Sequence, residues 1–214
     1  FGTAEVGLFA VPTERLCLVP PQLKPRQKKL IEDVLGVTVI PTTLAGSILL
    51  APMAAGNSNG LLFSSMVLDE ELEAIKKLAG DLNMGVIESK YTAIGNLVLA
   101  NDHAALVSSI LPKRAVKKIE DILGVEVVTG KIAGRSYVGS LAVITNIGGI
   151  VFAEVSEEEE KNLSELFKVD IIPGTVNNGV RYVRSGIIAN SRGAIIGSMT
   201  TGPELMTISR ALGV

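Results

Sequence analysis

The chain has one cysteine and one histidine, Cys17 and His103, and these are its only soft nucleophile or metal-ligand candidates. A cysteine thiolate beside an imidazole could perform nucleophilic catalysis. Cys17, however, lies within the apolar run Leu16-Cys17-Leu18-Val19, where a cysteine usually acts as a small buried hydrophobe. His103 stands in a predicted turn, where a polar side chain is normally solvated. The sequence therefore predicts neither a reactive thiol nor a Cys–His pair.

Other signatures of enzymatic chemistry are absent from the sequence. It contains no P-loop, GxGxxG, HExxH or GxSxG motif. One cysteine and one histidine cannot build a disulfide framework or a zinc cage. We therefore predict no catalytic residue, no cofactor and no metal. The formal net charge of −2 argues against a protein whose main task is to grip nucleic-acid phosphates.

A short motif recurs along the chain and organises the rest of it. Its copies, which we call the boxes, begin at residues 13, 57, 101, 146 and 190, so successive starts are 44 or 45 residues apart. The third copy reads Asn101-Asp102-His103-Ala104-Ala105-Leu106-Val107. Self-similarity at a period of this size indicates a repeat architecture. The asparagines that open four of the boxes are interpreted as turn formers.

Each repeat has the same predicted internal order. An apolar run precedes the box and a second one follows it, which is typical of a β-hairpin. An amphipathic helix and, in most repeats, a further strand come next. Two helix starts carry capping-box spacing, Ser156 with Glu159 and Thr201 with Glu204. The unit is strand–strand–helix–strand, and the approximate units are 7–50, 51–94, 95–138, 139–183 and 184–214 together with 1–6.

The two ends of the chain predict how the repeats close. The fifth repeat stops after its helix, while the segment Gly2–Gly7 is similar to Lys90–Gly95, the closing strand of the second repeat. An open solenoid would need polar capping repeats. We therefore predict one α/β domain, a closed ring of five ββαβ repeats with strands inside and helices outside, in which the N-terminal strand completes the fifth repeat. Because the sequence opens on Phe1, we also expect natural residues before it.

Small residues recur at a second fixed position, at Gly7, Ala51, Gly95 and Gly139, which we call the junctions. Each is predicted to begin the strand that ends at the box, about 20 Å away. The ring would then have a box rim and a junction rim. The residues just past the junctions would gather near the axis: Leu8, Pro52, Asn96, Ser140 and Ser185. Either these positions form a binding surface, or the small residues merely let the strands crowd together.

Charged residues cluster on alternate helices. Basic residues mark the first and third helices, and acidic residues open the second and fourth. Acidic first turns suit the helix dipole, and basic helix faces are commonly solvated surfaces. No run is long enough to span a bilayer and no signal peptide is visible, so we expect a cytoplasmic protein with no membrane partner.

The sequence resembles the translation initiation factor 6 family, and its archaeal branch most of all. The resemblance is carried by the five units, the box at 101–107, the segment Leu123-Gly124-Val125-Glu126-Val127 and the ending Thr200-Thr201-Gly202-Pro203-Glu204-Leu205. It covers essentially the whole chain. It implies the pentein fold, a name for the closed five-repeat ring (an α-β propeller).

The resemblance also implies a function. Family members bind the large (50S) ribosomal subunit at its intersubunit face, mainly through a ribosomal protein near the sarcin–ricin loop, with limited rRNA contact. They sterically prevent association with the small (30S) subunit, and eukaryotic members act in large-subunit biogenesis. The expected protein is a monomer and not an enzyme.

The family's subunit-facing surface lies at the junction rim. By position, the resemblance implies that Gly7, Asn96, Ser140 and Leu141 contact the ribosomal subunit. Leu8, Pro52 and Ser185 are expected beside them on the same rim. At two positions of this surface the sequence differs from the family pattern, so the boundary of the contact surface is not defined by the resemblance. Pro52 stands where family members can carry Arg, and Arg184 replaces an expected Gly.

Two other functions remain as alternatives. Pentein relatives include deiminases and amidinotransferases, but these amidino-group enzymes need a thiolate beside a histidine. Replacement of Cys17 by Ala would abolish activity only if the chain were such an enzyme. General RNA binding is the second alternative, and a steep salt dependence with free RNA would support it.

Overall fold

The computed structural model describes all 214 residues and is a mixed α/β structure of small sheets and six helices. Five helices have eleven residues each: α1 Pro25–Leu35, α2 Asp69–Ala79, α3 Lys113–Leu123, α5 Glu157–Phe167 and α6 Gly202–Leu212. The sixth, α4, is the short segment Val138–Leu141. Gly36, Gly124, Lys168 and Gly213 terminate four of the long helices in the left-handed conformation, which releases the chain from the helix.

The strands form five separate sheets. The first sheet contains β1 Val11–Pro12, β2 Leu16–Val19 and β3 Thr38–Pro41, and the second contains β4 Ala54–Gly56, β5 Gly60–Ser64 and β6 Asn83–Ile87. The third sheet contains β7 Val98–Ala100, β8 Ala104–Ser108 and β9 Glu126–Gly130. The fourth contains β10 Ala142–Ile144, β11 Gly149–Phe152 and β12 Ile171–Gly174. The fifth sheet has two strands, β13 Ile187–Asn190 and β14 Gly193–Ile196. Each sheet begins with an antiparallel hairpin. In the first four, the middle strand also pairs in parallel with a third strand, which returns after the helix.

The hydrophobic core is divided into five clusters, and each joins one sheet to the helix of the next. Leu18 and Ile40 of the first sheet, for example, pack with Ile75 of α2. The fifth cluster brings Ile188 of the last sheet against Ile31 and Leu35 of α1. The last sheet is therefore covered by the first long helix, and the two ends of the chain share one core.

The first strands of the five sheets also contact one another in order. Contacts run from β1 to β4, from β4 to β7, from β7 to β10 and from β10 to β13. Strand β13 in turn contacts β1, so the succession returns to its starting strand. These strands are rich in alanine, whose small side chain allows close approach of neighbouring backbones.

The predicted N-terminal strand is wrong. Phe1–Glu5 form no strand, and the fifth sheet remains two-stranded. The N-terminal segment is held instead by a single polar contact, in which Asn177 Nδ2 donates to the carbonyl of Ala4 at 2.8 Å. Gly197 also packs directly on that carbonyl. The contacts between the two ends of the chain therefore come from helix packing and side chains, and not from a strand ladder at the N-terminus.

Glutamates near the starts of α2, α5 and α6 tie these three helices to a turn of an earlier loop. Glu204 accepts from the backbone of Thr201 at 2.8 Å, from Gly179 at 2.8 Å and from the Thr175 hydroxyl at 2.7 Å. Glu71 does the same in α2, with Leu68, Ala45 and Gly46 as donors. A carboxylate is a fitting ligand for backbone amides of a left-handed turn. The capping boxes predicted at Ser156–Glu159 and Thr201–Glu204 therefore also anchor a neighbouring loop.

Acid is expected to weaken the structure through Glu204. Burial favours the neutral form, but the hydrogen bonds win and lower the pKa of Glu204 to about 2, from an ordinary value of 4.5. Because the folded pKa is depressed, the carboxylate's stabilisation is complete above pH 4.5 and is lost as the pH falls toward 2. A Glu204→Gln variant should lose roughly 2 kcal/mol at pH 7, measured by urea unfolding.

The pH dependence separates this interpretation from a general loss of packing. The difference between the parent and Glu204→Gln should shrink at pH 3, where the parent begins to be protonated. Glu158→Gln, at an exposed position in the first turn of α5, is the matched control and should change stability by less than about 0.5 kcal/mol. A gap between parent and Glu204→Gln that is the same at both pH values would contradict the assignment.

Candidate functional site

The junction residues lie in short helical turns that precede the first strand of each sheet. These turns are Val6–Phe9, Ile94–Asn96, α4 and Val183–Gly186, and residues 51–53 form the corresponding turn of the second sheet. The prediction that each junction residue begins a strand is therefore wrong. The first strands are only two to four residues long, so the predicted extended span of 20 Å to the box does not exist.

The junction glycines are required by close contact between backbones. A Cβ atom on Gly95 would lie 1.9 Å from the carbonyl oxygen of Ala51, and one on Gly139 would lie 2.2 Å from that of Gly95. A Cβ atom on Gly7 would likewise lie 1.9 Å from the carbonyl oxygen of Arg184. Real Cβ atoms do not approach oxygen so closely, so these positions have no room for a side chain. The small residues therefore have a structural reason for their regular spacing.

Backbone hydrogen bonds also link neighbouring junctions. The Ala51 amide donates to the carbonyl of Leu8 at 3.1 Å, and the Gly95 amide donates to that of Pro52 at 2.9 Å. The turn at Val6–Phe9 also contacts the turn at Val183–Gly186. The five turns thus lie next to one another and form a continuous surface, which we call the junction surface.

The seven predicted contact residues do not share one environment. Leu8, Pro52, Asn96, Ser140 and Ser185 are half-buried and can offer part of their surface to a partner. Gly7 and Leu141 are buried, and Leu141 is fully enclosed in the core between the third and fourth sheets. The hydroxyl of Ser185 is buried without a hydrogen-bond partner. Gly7 and Leu141 therefore support the junction surface from below.

The box turns lie at the other end of the first strands, and their asparagines have two roles. In the third box, Asn101 Oδ1 accepts from the amides of His103 and Ala104 and so forms the turn predicted from the sequence. Its Nδ2 donates to the carbonyls of Thr145 and Phe167, at 3.1 and 3.0 Å. Phe167 is the last residue of α5. The amide therefore also caps the helix of the next sheet, which the sequence did not indicate.

The predicted position of the fourth box is wrong by one residue. Thr145, not Asn146, takes the place of Asn101: its Oγ1 accepts from the amides of Ile147 and Gly148. Thr13 does the same in the first box. The turn needs a side-chain oxygen, which threonine and asparagine both supply. Because three of the other boxes open on asparagine, the predicted start of the fourth box fell on Asn146, the neighbour of Thr145.

Residues at the second box position bond from one box to the next. The Ser58 hydroxyl donates to Asp102 at 2.6 Å, and Asn146 Nδ2 donates to the same carboxylate at 2.7 Å. The Asn146 amide donates to the Ser191 hydroxyl at 3.0 Å, and that hydroxyl donates to Glu14 at 2.7 Å. The last of these bonds joins the fifth box to the first.

Asn190→Ala should show how much the contact between the last box and the first contributes. Asn190 is buried, and its Nδ2 donates to the carbonyls of Thr13 and Leu35 at 3.2 and 2.8 Å. Truncation leaves both carbonyls without that donor and should cost roughly 2–3 kcal/mol in urea unfolding. Asn162→Ala, on the exposed face of α5, is the control and should change stability by less than about 0.5 kcal/mol. Equal effects of the two variants would mean that this contact does not hold the ends together.

The structure separates Cys17 from His103. Cys17 is fully buried in the cluster of Val19, Ile31 and Leu35, and burial raises the pKa of its thiol to about 12. His103 is exposed on the turn of the third box. Both interpretations from the sequence are confirmed, Cys17 as a core residue and His103 as a solvated turn residue. A thiol whose pKa lies far above neutral stays protonated and is not a nucleophile.

The charged helices present solvated faces. Lysines of α1 and α3 pair within their own helices, Lys29 with Asp33 at 2.8 Å and Lys117 with Glu120 at 2.9 Å. Such exposed pairs contribute little to stability. No helix is long and apolar enough to cross a bilayer.

Together, the five small sheets and the cores that join each of them to a helix of the next define a mixed α/β protein. A sequence profile described as the eIF-6 family matches residues 1–211. The chain belongs to this family.

Its relatives are archaeal proteins named translation initiation factor 6. The chain is 46% identical over 213 residues to the protein of Pyrococcus abyssi, with 98% of this chain and 94% of the relative covered. It is 45% identical over 212 residues to that of Pyrococcus horikoshii, with 97% and 93% covered, and 39% identical over 214 residues to that of Staphylothermus marinus, with 99% and 94% covered. The family is one of initiation factors and not of enzymes, which confirms the resemblance identified from the sequence.

Proposed function

We propose that this chain is a translation initiation factor that binds the large ribosomal subunit at its intersubunit face and sterically prevents the small subunit from joining. Membership of the eIF-6 family, over nearly the whole chain, carries this proposal. The mechanism needs a rigid body of sufficient size and one adhesive surface. It needs no turnover, which agrees with a protein whose only thiol is buried and protonated.

The rigid body is proposed to be the closed five-repeat pentein ring, a single domain with units near 7–50, 51–94, 95–138, 139–183 and 184–214 with 1–6. Three contacts between the ends support closure. Ile188 packs with α1, the Ser191 hydroxyl bonds to Glu14, and Asn190 bonds to Thr13 and Leu35. Shared cores between successive sheets and helices would make such a ring stiff.

The adhesive surface is proposed to be the junction surface, with Leu8, Pro52, Asn96, Ser140 and Ser185 facing the partner. These residues are half-buried, uncharged and held on turns that are hydrogen-bonded or packed to one another. A surface preorganised in this way loses little conformational entropy on binding. Gly7 and Leu141 would act by fixing the turns beneath it.

The partner is proposed to be mainly a ribosomal protein near the sarcin–ricin loop, with limited rRNA contact. A chain with a net charge of −2 is better suited to a basic protein than to bare RNA, whose phosphates would repel it. We further propose that the protein works as a monomer in the cytoplasm, since one ring suffices to occupy the interface.

Sedimentation of the purified chain with isolated subunits tests the proposal. The protein should migrate with large subunits and not with small subunits, and it should lower the yield of joined ribosomes when both subunits are mixed. Free rRNA at the same concentration is the control and should retain little protein. Joining at an unchanged yield, despite saturated large subunits, would contradict the steric mechanism.

A further inference from the structure

A narrow cavity lies among the first strands of the five sheets. It measures about 40 Å³ and is lined by residues of all five strands, together with the side chain of Arg184. Apart from that arginine, every lining residue is uncharged and most are apolar, among them Val11, Leu99, Val143 and Ile187. A cavity of this size exceeds the roughly 10–15 Å³ that one water molecule requires. It has room for a small ion with little water and not for a nucleotide or a peptide.

Arg184 has no partner for its charge. The structure gives its guanidinium neither a hydrogen-bond acceptor nor a carboxylate, and Cys17 is the only group whose charge would affect it. The other arginines either pair, as Arg15 does with Asp81 and Arg181 with Glu154, or are exposed to solvent. Burial lowers the pKa of Arg184 to about 10, which still leaves it protonated at neutral pH. Arg184 is half-buried, and a cation that is partly removed from water without a partner is costly.

Two carboxylates lie at the box end of the first strands. Glu14 and Asp102 line an adjoining small cavity that shares five lining residues with this one, and there they accept hydrogen bonds from Ser191, Ser58 and Asn146. Neither carboxylate pairs with Arg184 or is among the groups that affect its charge, so a counter-charge for Arg184 has to come from solution. A guanidinium offers five donors in one plane, enough to hold a small anion and a water molecule together.

We propose that Arg184 holds a small monovalent inorganic anion of chloride size in this cavity. The position supports the assignment: Arg184 stands at the junction site that is glycine in three other repeats, so the charge is a feature of the fifth repeat alone. Bound there, the anion would neutralise the cavity and stabilise the contact among the first strands.

Thermal unfolding of the full chain provides the first test. At fixed ionic strength, chloride or bromide in place of gluconate should raise the melting temperature of the parent saturably, by roughly 3 °C at ten times the Kd. Arg184→Leu should abolish this response and Arg184→Lys should keep part of it. Arg181→Leu, which removes an exposed arginine in the same repeat, should respond as the parent does. An equal response of parent and Arg184→Leu would overturn the proposal.

Bromide-soaked crystals of the parent give a test that does not depend on any variant folding. An anomalous peak within hydrogen-bond distance of the Arg184 guanidinium would support the site. A cavity filled by water alone at saturating bromide would overturn it.

Discussion

Gly95→Ala is expected to cost about 3 kcal/mol or more of stability, the largest effect of any one-carbon change we foresee. The added Cβ would lie 1.9 Å from the carbonyl oxygen of Ala51 and 2.5 Å from that of Ala54. Both atoms belong to the backbone, so relief requires the second and third sheets to separate. Overpacking of this kind commonly costs 1–3 kcal/mol, and more where only backbone can give way. Urea unfolding with a fixed m-value would measure it.

Gly202→Ala is the matched control for this prediction. Gly202 begins α6, and a Cβ there would meet nothing within 4 Å. Its stability should stay within about 0.5 kcal/mol of the parent. If Gly95→Ala changed the free energy of unfolding as little as Gly202→Ala, the junction turns would not be packed against one another as described. The junction surface would then lack the support that we assign to these turns.

Asn96→Arg is expected to weaken binding to large subunits at least tenfold, or about 1.4 kcal/mol, without loss of stability. Asn96 is half-buried, and its side chain makes no hydrogen bond within the protein. The substitution adds bulk and positive charge where we propose that a basic ribosomal protein docks. Cosedimentation over a range of subunit concentrations, with urea unfolding in parallel, would measure both quantities.

His103→Arg places the same new charge at the other end of the same hairpin. His103 is exposed on the third box turn, and its side chain is not part of any hydrogen bond. It should bind subunits as tightly as the parent. If His103→Arg were the impaired variant and Asn96→Arg bound normally, the box turns and not the junction surface would face the ribosome.

The period of 44–45 residues carried most of what could be predicted from the sequence. It located five helices whose starts, from Pro25 to Gly202, keep that spacing, and it located the hairpins before them. Cys17 and His103 were also interpreted correctly, since an apolar run and a turn define their surroundings locally. Such features depend on neighbours within a few residues along the chain.

Features that depend on the neighbouring sheet could not be predicted. That Asn101 caps α5 follows only from how successive sheets stack. At the junctions, Gly95 and Gly139 pack against the backbone of the neighbouring turn, which the sequence shows merely as small residues. The predicted start of the fourth box was wrong by one residue because Thr145 and Asn146 both carry a side-chain oxygen that can accept a hydrogen bond. Only the hydrogen bonds in the structure distinguish the two residues.

The orientation of the protein on the large subunit tests the account most directly. Hydrogen exchange of the chain, free and bound to purified large subunits, would report it for every turn in one measurement. We predict slower exchange on binding in the peptides that carry Leu8, Asn96 and Ser140, and unchanged exchange at the box turns around Asn59 and His103. Protection confined to the box turns, or no protection anywhere at saturation, would contradict the proposed surface.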